Sequence, residues 1–247
     1  MGKGDRMSIT VYTGTPGSGK SSHAAKDIIH RLKGKGGLIC NFPVNEDSLV
    51  KSKCRFDYWD NSEITPERLV DYAQKNHKIG REGQTLVVID EAQILFNSRD
   101  FGRKDRASWI TFFSQHRKLG YNVILITQSD RMLDRQIRCL LEEEVRHRKL
   151  NNFGFGGMIL SLFTWSTWFI CISYWYGGNG VKLGSQTIRY SKKISKIYDS
   201  YRMFSDTTFG GGSGGDRKAV GTPGEPPKEE PKEASPERKV IPICESS

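Results

Sequence analysis

The sequence predicts an α/β fold built on a mostly parallel β-sheet, and three observations predict it. Short runs rich in apolar and β-branched residues recur along the first 150 residues: "ITVYT" (9–13), "GLICNF" (37–42), "TLVVID" (85–90) and "NVILITQ" (122–128). Two of them, "LVVI" and "VILI" at their centres, are apolar without alternation, as strands are when helices cover both faces of a sheet. Helical segments stand between the runs, and such alternation gives parallel neighbours joined by right-handed crossovers.

The elements follow in order. "ITVYT" is a strand, and a glycine-rich loop separates it from a helix over 20–33 that stops at "GKGG". "GLICNF" is the second strand. "TPERLVDYAQKN" (65–76) is a helix with Thr65 as N-cap and Pro66 at its first position, where the missing N–H costs nothing. "TLVVID" is a buried strand. "ASWITFFSQHRKLG" (107–120) is helical up to Gly120. "NVILITQ" is another buried strand, and "MLDRQIRCLLEEE" (132–144) is a last short helix.

Residues 151–190 carry two readings. No charged residue occurs over 151–181, and "MILSLFTWSTWFICISYWY" (158–176) is long enough to cross a bilayer as a helix, preceded by the basic "RHRK". A spanning helix over 153–176 is therefore one reading. An aromatic β-hairpin is the favoured one, because "WSTWFICISYWY" is rich in strand formers, "YGGNG" is a turn signal, and "GSQTIRYSKKI" returns with a polar face. Either way the segment is apolar enough to contact a membrane or another subunit. The chain thus divides into a domain over 1–205 and a tail over 206–247, whose composition turns to Gly, Pro, Glu and Lys at about residue 210. Such a tail buries too little apolar surface to order itself.

Residues 210–247 hold six basic and seven acidic residues, so the formal charge of +10 belongs to the folded part and points to anionic partners. Five cysteines at 40, 54, 139, 171 and 244 show no C-x-x-C spacing. That predicts neither a disulfide framework nor a zinc site and suits a reducing cytoplasm. The N-terminal ten residues have neither the apolar core of a signal peptide nor a myristoylation pattern.

The chemistry centres on "GTPGSGKSS", residues 14–22, a full G-x-x-x-x-G-K-[ST] loop between strand and helix. Gly14, Thr15, Pro16, Gly17, Ser18, Gly19, Lys20, Ser21 and Ser22 are the candidate phosphate-binding residues. The glycines let backbone N–H groups approach phosphate oxygens, and the helix that starts at Lys20 aims its positive end at the anion. Lys20 reaches the β and γ phosphates, and the Ser21 hydroxyl is a ligand for Mg²⁺. In "LVVIDEAQ", Asp90 ends a buried strand and is the second magnesium-side group, while Glu91 is placed to act as general base on the attacking water. Gln128, at the end of a neighbouring strand, is placed to orient that water. ATP and Mg²⁺ are the implied cofactors. Arg117 is the favoured arginine for stabilising the transition state, among Arg99, Arg103, Arg106 and Arg138. His116 is read as structural or surface.

These pieces together, "GTPGSGKSS", "IDEAQ", "QHRKLGYNVILITQSDRMLDRQIR" and "IYDSYRMF" (197–204), resemble the zonula occludens toxin (Zot) family of filamentous phage assembly ATPases over residues 8–204. The resemblance implies a P-loop NTPase with additional strands, RecA/FtsK-like, and a ring-like homo-oligomer. It implies an ATP-hydrolysing motor that extrudes phage single-stranded DNA, working in the host cytoplasm at the inner membrane with capsid or membrane assembly proteins. It also favours the hairpin over 151–190. Many members carry a membrane helix after this region, and here only the tail follows. Two alternatives stand beside export: a DNA-translocating or packaging ATPase without a membrane role, and a nucleotide-binding oligomeric scaffold.

Overall fold

The computed structural model describes residues 9–45, 49, 52–100, 104–150, 167–177, 180–195 and 197. The tail and residues 151–166 of the apolar segment lie outside them, as does Arg103. Among the described residues the strands are β1 (Ile9–Thr13), β2 (Gly37–Cys40), β3 (Arg55–Tyr58), β4 (Thr85–Ile89), β5 (Tyr121–Ile126), β6 (Glu143–Lys149), β7 (Trp168–Trp175) and β8 (Val181–Arg189). They form one sheet in the order β3-β2-β4-β5-β1-β6-β7-β8. Every pairing from β3 to β6 is parallel, and β6–β7 and β7–β8 are antiparallel. The predicted α/β, mostly parallel architecture is the one observed.

The helices are α1 (Lys20–Lys33), α2 (Pro66–Asn76), α3 (Arg106–Gln115), and the short α4 (Arg135–Arg138) and α5 (Lys192–Ser195). Successive strand residues face opposite sides, so each parallel strand feeds two cores. Val87 and Ile39 pack with Leu69, Trp109 and Phe113 on the face of α2 and α3. Val88 and Leu38 pack with Ala24, Ala25 and Ile28 on the face of α1. α2 starts where the sequence predicts: the Thr65 hydroxyl accepts the Arg68 N–H at 3.2 Å, and Pro66 stands at its start.

Three expectations change. The predicted helix over 132–144 shrinks to a 3₁₀ turn, Asp130–Met132, and to α4, which the Asp134 carboxylate caps at the N–H groups of Gln136 and Ile137. The glutamates beyond it turn into β6. The reason is backbone accounting: without β6 the edge of β1 would leave a row of N–H and C=O groups unpaired beside the phosphate loop. The helix over 107–120 stops at Gln115, and residues 116–120 form a turn closed by Gly120 at φ +83°. β3 has no signature in the sequence, because "RFDY" is a short edge strand with no fully buried residue. Within the apolar segment, Trp168–Trp175 is strand, paired to β6 and β8, and no helix among the described residues is long and apolar enough to cross a membrane.

Candidate active site

β5 lies between β1 and β4, and all three run in parallel. The loops after these three strands therefore leave from one edge of the sheet, its carboxyl end, where open α/β sheets bind ligands. That edge holds the phosphate loop, Asp90 with Glu91, and Gln128.

The phosphate loop is tied down first. The Gly14 N–H donates to the Gln128 carbonyl at 3.2 Å. Gly14 has φ +141°, and a Cβ there would stand 2.5 Å from the His147 carbonyl oxygen. Gly19 has φ +97°, and a Cβ there would drive into the Phe169 ring. Both positions exclude any larger residue. Gly19 caps α1 without a side-chain hydrogen bond, and the first turn carries no acidic residue, which leaves the positive end of the helix dipole without an anionic side chain of its own turn. Lys20 Nζ folds back onto the carbonyl oxygens of Gly14 (2.7 Å) and Thr15 (3.2 Å). Burial lowers its pKa, and the carboxylates of Glu91 and Asp90 oppose that shift. All three charged groups therefore share one field.

Asp90 follows β4 directly and is 8% exposed. Burial pushes its carboxyl up to about 6. Asn41 holds its backbone by a two-way clasp: Asn41 Oδ1 accepts the Asp90 N–H at 2.7 Å, and Asn41 Nδ2 donates to the Asp90 carbonyl at 2.9 Å. Asn41 in turn bonds Asn61 at 2.8 Å. Glu91 has φ +45°, the one positive φ at a non-glycine among the described residues. Left-handed backbone at an ordinary residue costs about 1–3 kcal/mol and persists where the surroundings impose it. Here the Ala92 N–H is held on the Ile126 carbonyl at 2.8 Å, and Gln93 donates to the Glu91 carboxylate. The acid is turned out of the strand line and oriented.

Gln128 is exposed, one residue beyond Thr127, whose N–H donates to the Tyr12 carbonyl. It lines a hollow of about 520 Å³ together with Thr15, Arg146, Arg148 and Lys149. On β6 Val145 and His147 point inward while Arg146 and Arg148 point outward, so "RHRK", read as a membrane flank, arms the loop with cations instead. Arg146 is bound to Glu144 at 2.9 Å and lies over the Tyr174 ring. Arg117 is elsewhere. It precedes β5 at the amino end of the sheet and pairs with Glu142 at 2.5 Å, so within its own chain the length of a strand separates it from Lys20. Arg106 is engaged by Asp134 at 3.1 Å. His116 is buried, with Nδ1 2.6 Å from the Phe113 carbonyl.

A second hollow, about 330 Å³, opens on the other flank of the loop between Ser18, Ser22, Lys149, Thr167, Phe169 and Tyr190. Among the described residues the Ser18 hydroxyl is buried there without a hydrogen-bond partner. Behind it sit two buried histidines, His23 and His147; burial and the neighbouring His23 hold His147 down at about 3. The residues fit a magnesium nucleotide on three counts: an orphaned hydroxyl, a cradle that any Cβ would fill, and a buried carboxylate whose raised pKa asks for a cation. Sequence reading missed Asn41, Arg146, Phe169, Tyr190 and His147. Only the in–out alternation of "VRHRK" could have pointed to β6.

A phosphate loop and an acidic strand end flanking an intervening parallel strand define the P-loop NTPase fold. A DnaB-like replicative helicase has that fold at a TM-score of 0.53, with 11% identity, covering 76% of this chain and 57% of that one. The zonular occludens toxin (Zot) family matches residues 8–203, and the chain belongs to this family. It is 33% identical over 165 residues to the Gene 1 protein of Enterobacteria phage I2-2, which is 62% of this chain and 44% of that protein. The N-terminal domain of zonular occludens toxin from Neisseria meningitidis aligns at a TM-score of 0.47 and 19% identity, covering 78% of this chain and 98% of that one. The chain spans about half the length of the curated relatives it matches.

Proposed function

We propose that the chain is an ATP-hydrolysing motor that drives assembly and extrusion of a filamentous phage, moving single-stranded DNA outward at the host inner membrane. One observation carries the reading: Lys20, Asp90, Glu91 and Gln128 converge at the carboxyl edge of three adjacent parallel strands, with Glu91 held in a strained, aimed conformation. Lys20 leaves its two loop carbonyls for the β and γ phosphates. Ser21 and Asp90 would hold Mg²⁺, which would supply positive charge to those phosphates. Glu91 takes a proton from the attacking water, whose oxygen Gln128 orients. The new P–O bond forms as the bond from γ phosphorus to the bridging oxygen breaks. Arg146, beside Gln128, is the nearer in-chain cation for the transition-state charge, and the place left to Arg117 is the site of a neighbouring subunit in a ring-like homo-oligomer.

The hollow walled by Phe169 and Tyr190 takes the nucleoside, base against ring. The partners are phage DNA or capsid proteins and membrane assembly proteins. Exposed Trp175, Val181 and Leu183 on β7 and β8 supply an apolar surface for membrane or subunit contact. The basic charge keeps a second reading in view, a packaging ATPase without a membrane role. Phosphate release by the assembled chain, with and without single-stranded DNA and inner-membrane vesicles, is the test. Hydrolysis that DNA stimulates and vesicles retain supports export. Stimulation without vesicle association supports packaging, and no hydrolysis at all supports a nucleotide-binding scaffold.

A further inference from the structure

The flank of the phosphate loop holds a cluster that ATP chemistry leaves unused. His147 of β6 stands directly opposite Cys171 of β7, and Cys171 opposite Gln186 of β8. Cross-strand neighbours in register project from the same face, so these three side chains form one row. His23, from the first turns of α1, meets that row from above. His23, His147 and Cys171 are 1%, 2% and 0% exposed. One ring nitrogen of each histidine and the Cys171 sulfur all lie within 4.8 Å of one another. Nitrogen and sulfur ligands on zinc, at about 2.0 and 2.3 Å, stand roughly 3.3–3.8 Å apart, so closure needs shifts of about 1 Å.

We infer that His23, His147 and Cys171 form a binding site for a thiophilic d¹⁰ cation, Zn²⁺ foremost, that braces the phosphate loop from behind. Two imidazoles and a thiolate are the donor set that borderline-soft ions prefer over Mg²⁺. The supporting shell is already built. His147 Nδ1–H donates to the Thr13 carbonyl at 3.1 Å, which turns its Nε2 lone pair into the cluster. His23 Nδ1 lies 2.9 Å from that nitrogen, and its Nε2 lies 2.8 Å from the Gln186 amide and 3.8 Å from the Asp27 carboxylate. Asp27 itself accepts the Tyr12 hydroxyl at 2.5 Å, and the Tyr12 ring stacks on His23. Metal-bound histidines characteristically give their second nitrogen to such carbonyl and carboxylate partners.

Proton balance is simple. Binding displaces the Cys171 thiol proton to solvent. The His23 ring proton moves from Nδ1 to Nε2, where the Gln186 amide turns its oxygen to meet it. The ion would join both ends of the phosphate loop, through Thr13 and the first turns of α1, to the antiparallel strands. Cysteine spacing alone excluded a zinc site. It tests only local pairs, and these ligands come from three elements far apart in the chain.

The test uses the untagged full chain, free of nucleotide, in buffer with excess Mg²⁺. Elemental analysis after incubation with Zn²⁺ and desalting is expected to find about one zinc ion per chain. Zinc-edge X-ray absorption is expected to show one sulfur and two imidazole ligands, a readout that needs no variant. In Co²⁺-loaded protein the thiolate-to-cobalt absorption disappears in Cys171→Ser and persists in Cys139→Ser. Gln186→Ala weakens Zn²⁺ affinity by about 10-fold, the scale of a lost supporting hydrogen bond. A folded chain that retains far less than one ion, or a bound zinc without sulfur, overturns the inference and leaves a metal-free hydrogen-bond chain from Gln186 through the two histidines to Thr13.

Discussion

In β1, β2 and β4 every residue is buried, whereas β8 has one buried residue and presents most of its length to solvent. The parallel half is covered by helices on both faces and holds the acid pair, the phosphate loop and Gln128 rigidly at one edge. The antiparallel extension, β6 to β8, is covered mainly on the side of α1. Of its inward groups, the Phe169 ring stands against Gly19 and the His147 carbonyl against Gly14 of the phosphate loop, while Val145, Cys171 and Ile188 join the core on the α1 face. The comparison separates two tasks: the parallel half positions the groups proposed to react, and the extension shapes the hollows around them.

Substitutions can break that division, and the largest effect belongs to the parallel half. Glu91→Gln is expected to lower phosphate release about 10²–10⁴-fold while nucleotide binding persists; turnover near that of the unaltered chain would remove Glu91 from the chemistry. Phe169→Ala leaves a cavity against Gly19 and is expected to cost about 3–5 kcal/mol in chemical denaturation, with weaker nucleotide binding. If stability drops and binding does not, the extension is a structural flap and no part of the pocket wall.

Asp90→Asn probes the field at the edge. The folded Asp90 carboxyl titrates at about 6, above the unfolded value of 3.8, so the folded chain binds the extra proton between these values. Stability contributed by the protonated form is therefore lost as pH rises through that window. Without Mg²⁺, Asn at this position is expected to stabilise the chain by up to about 3 kcal/mol above pH 6 and by little below pH 4. Melting curves across that range decide it; a pH-independent gain would mean that Asp90 is not the strained charge.

Tyr190→Ala sharpens the extension's share. Loss of one stacking ring is expected to raise KM for ATP about 10-fold and leave inorganic tripolyphosphate binding unchanged. Equal losses for both ligands would place the defect in the loop and not in the base pocket. The smallest effect belongs to Arg117→Ala. Its ion pair with Glu142 is half exposed, with side-chain exposures of 51% and 32%, so stability should change by under about 1 kcal/mol. A large loss of turnover with unchanged stability would show that Arg117 serves a neighbouring subunit.

Legibility follows the same division. Runs such as "TLVVI" and "VILI" are apolar throughout because both faces of their strands are covered, and that pattern survives in one dimension. The phosphate loop is legible because its geometry needs glycines at set intervals. Asp90 and Glu91 follow from their place at the end of such a run. "EEVRHRK" looks helical or membrane-flanking because its composition is charged; only the unpaired edge of β1 makes it a strand. Asn41 reads as one more residue of the strand "GLICNF" until its amide is seen clasping the Asp90 backbone.

By itself the sequence determined the parallel α/β fold, the loop for phosphates and the acidic pair, since each depends on neighbours a few residues apart. Tertiary structure alone decided what surrounds them: Asn41 clasping Asp90, Arg146 beside Gln128, Phe169 against Gly19, and the meeting of His23, His147 and Cys171. Those contacts join residues up to more than a hundred positions apart. Sheet order and register bring them together, and no local pattern encodes either.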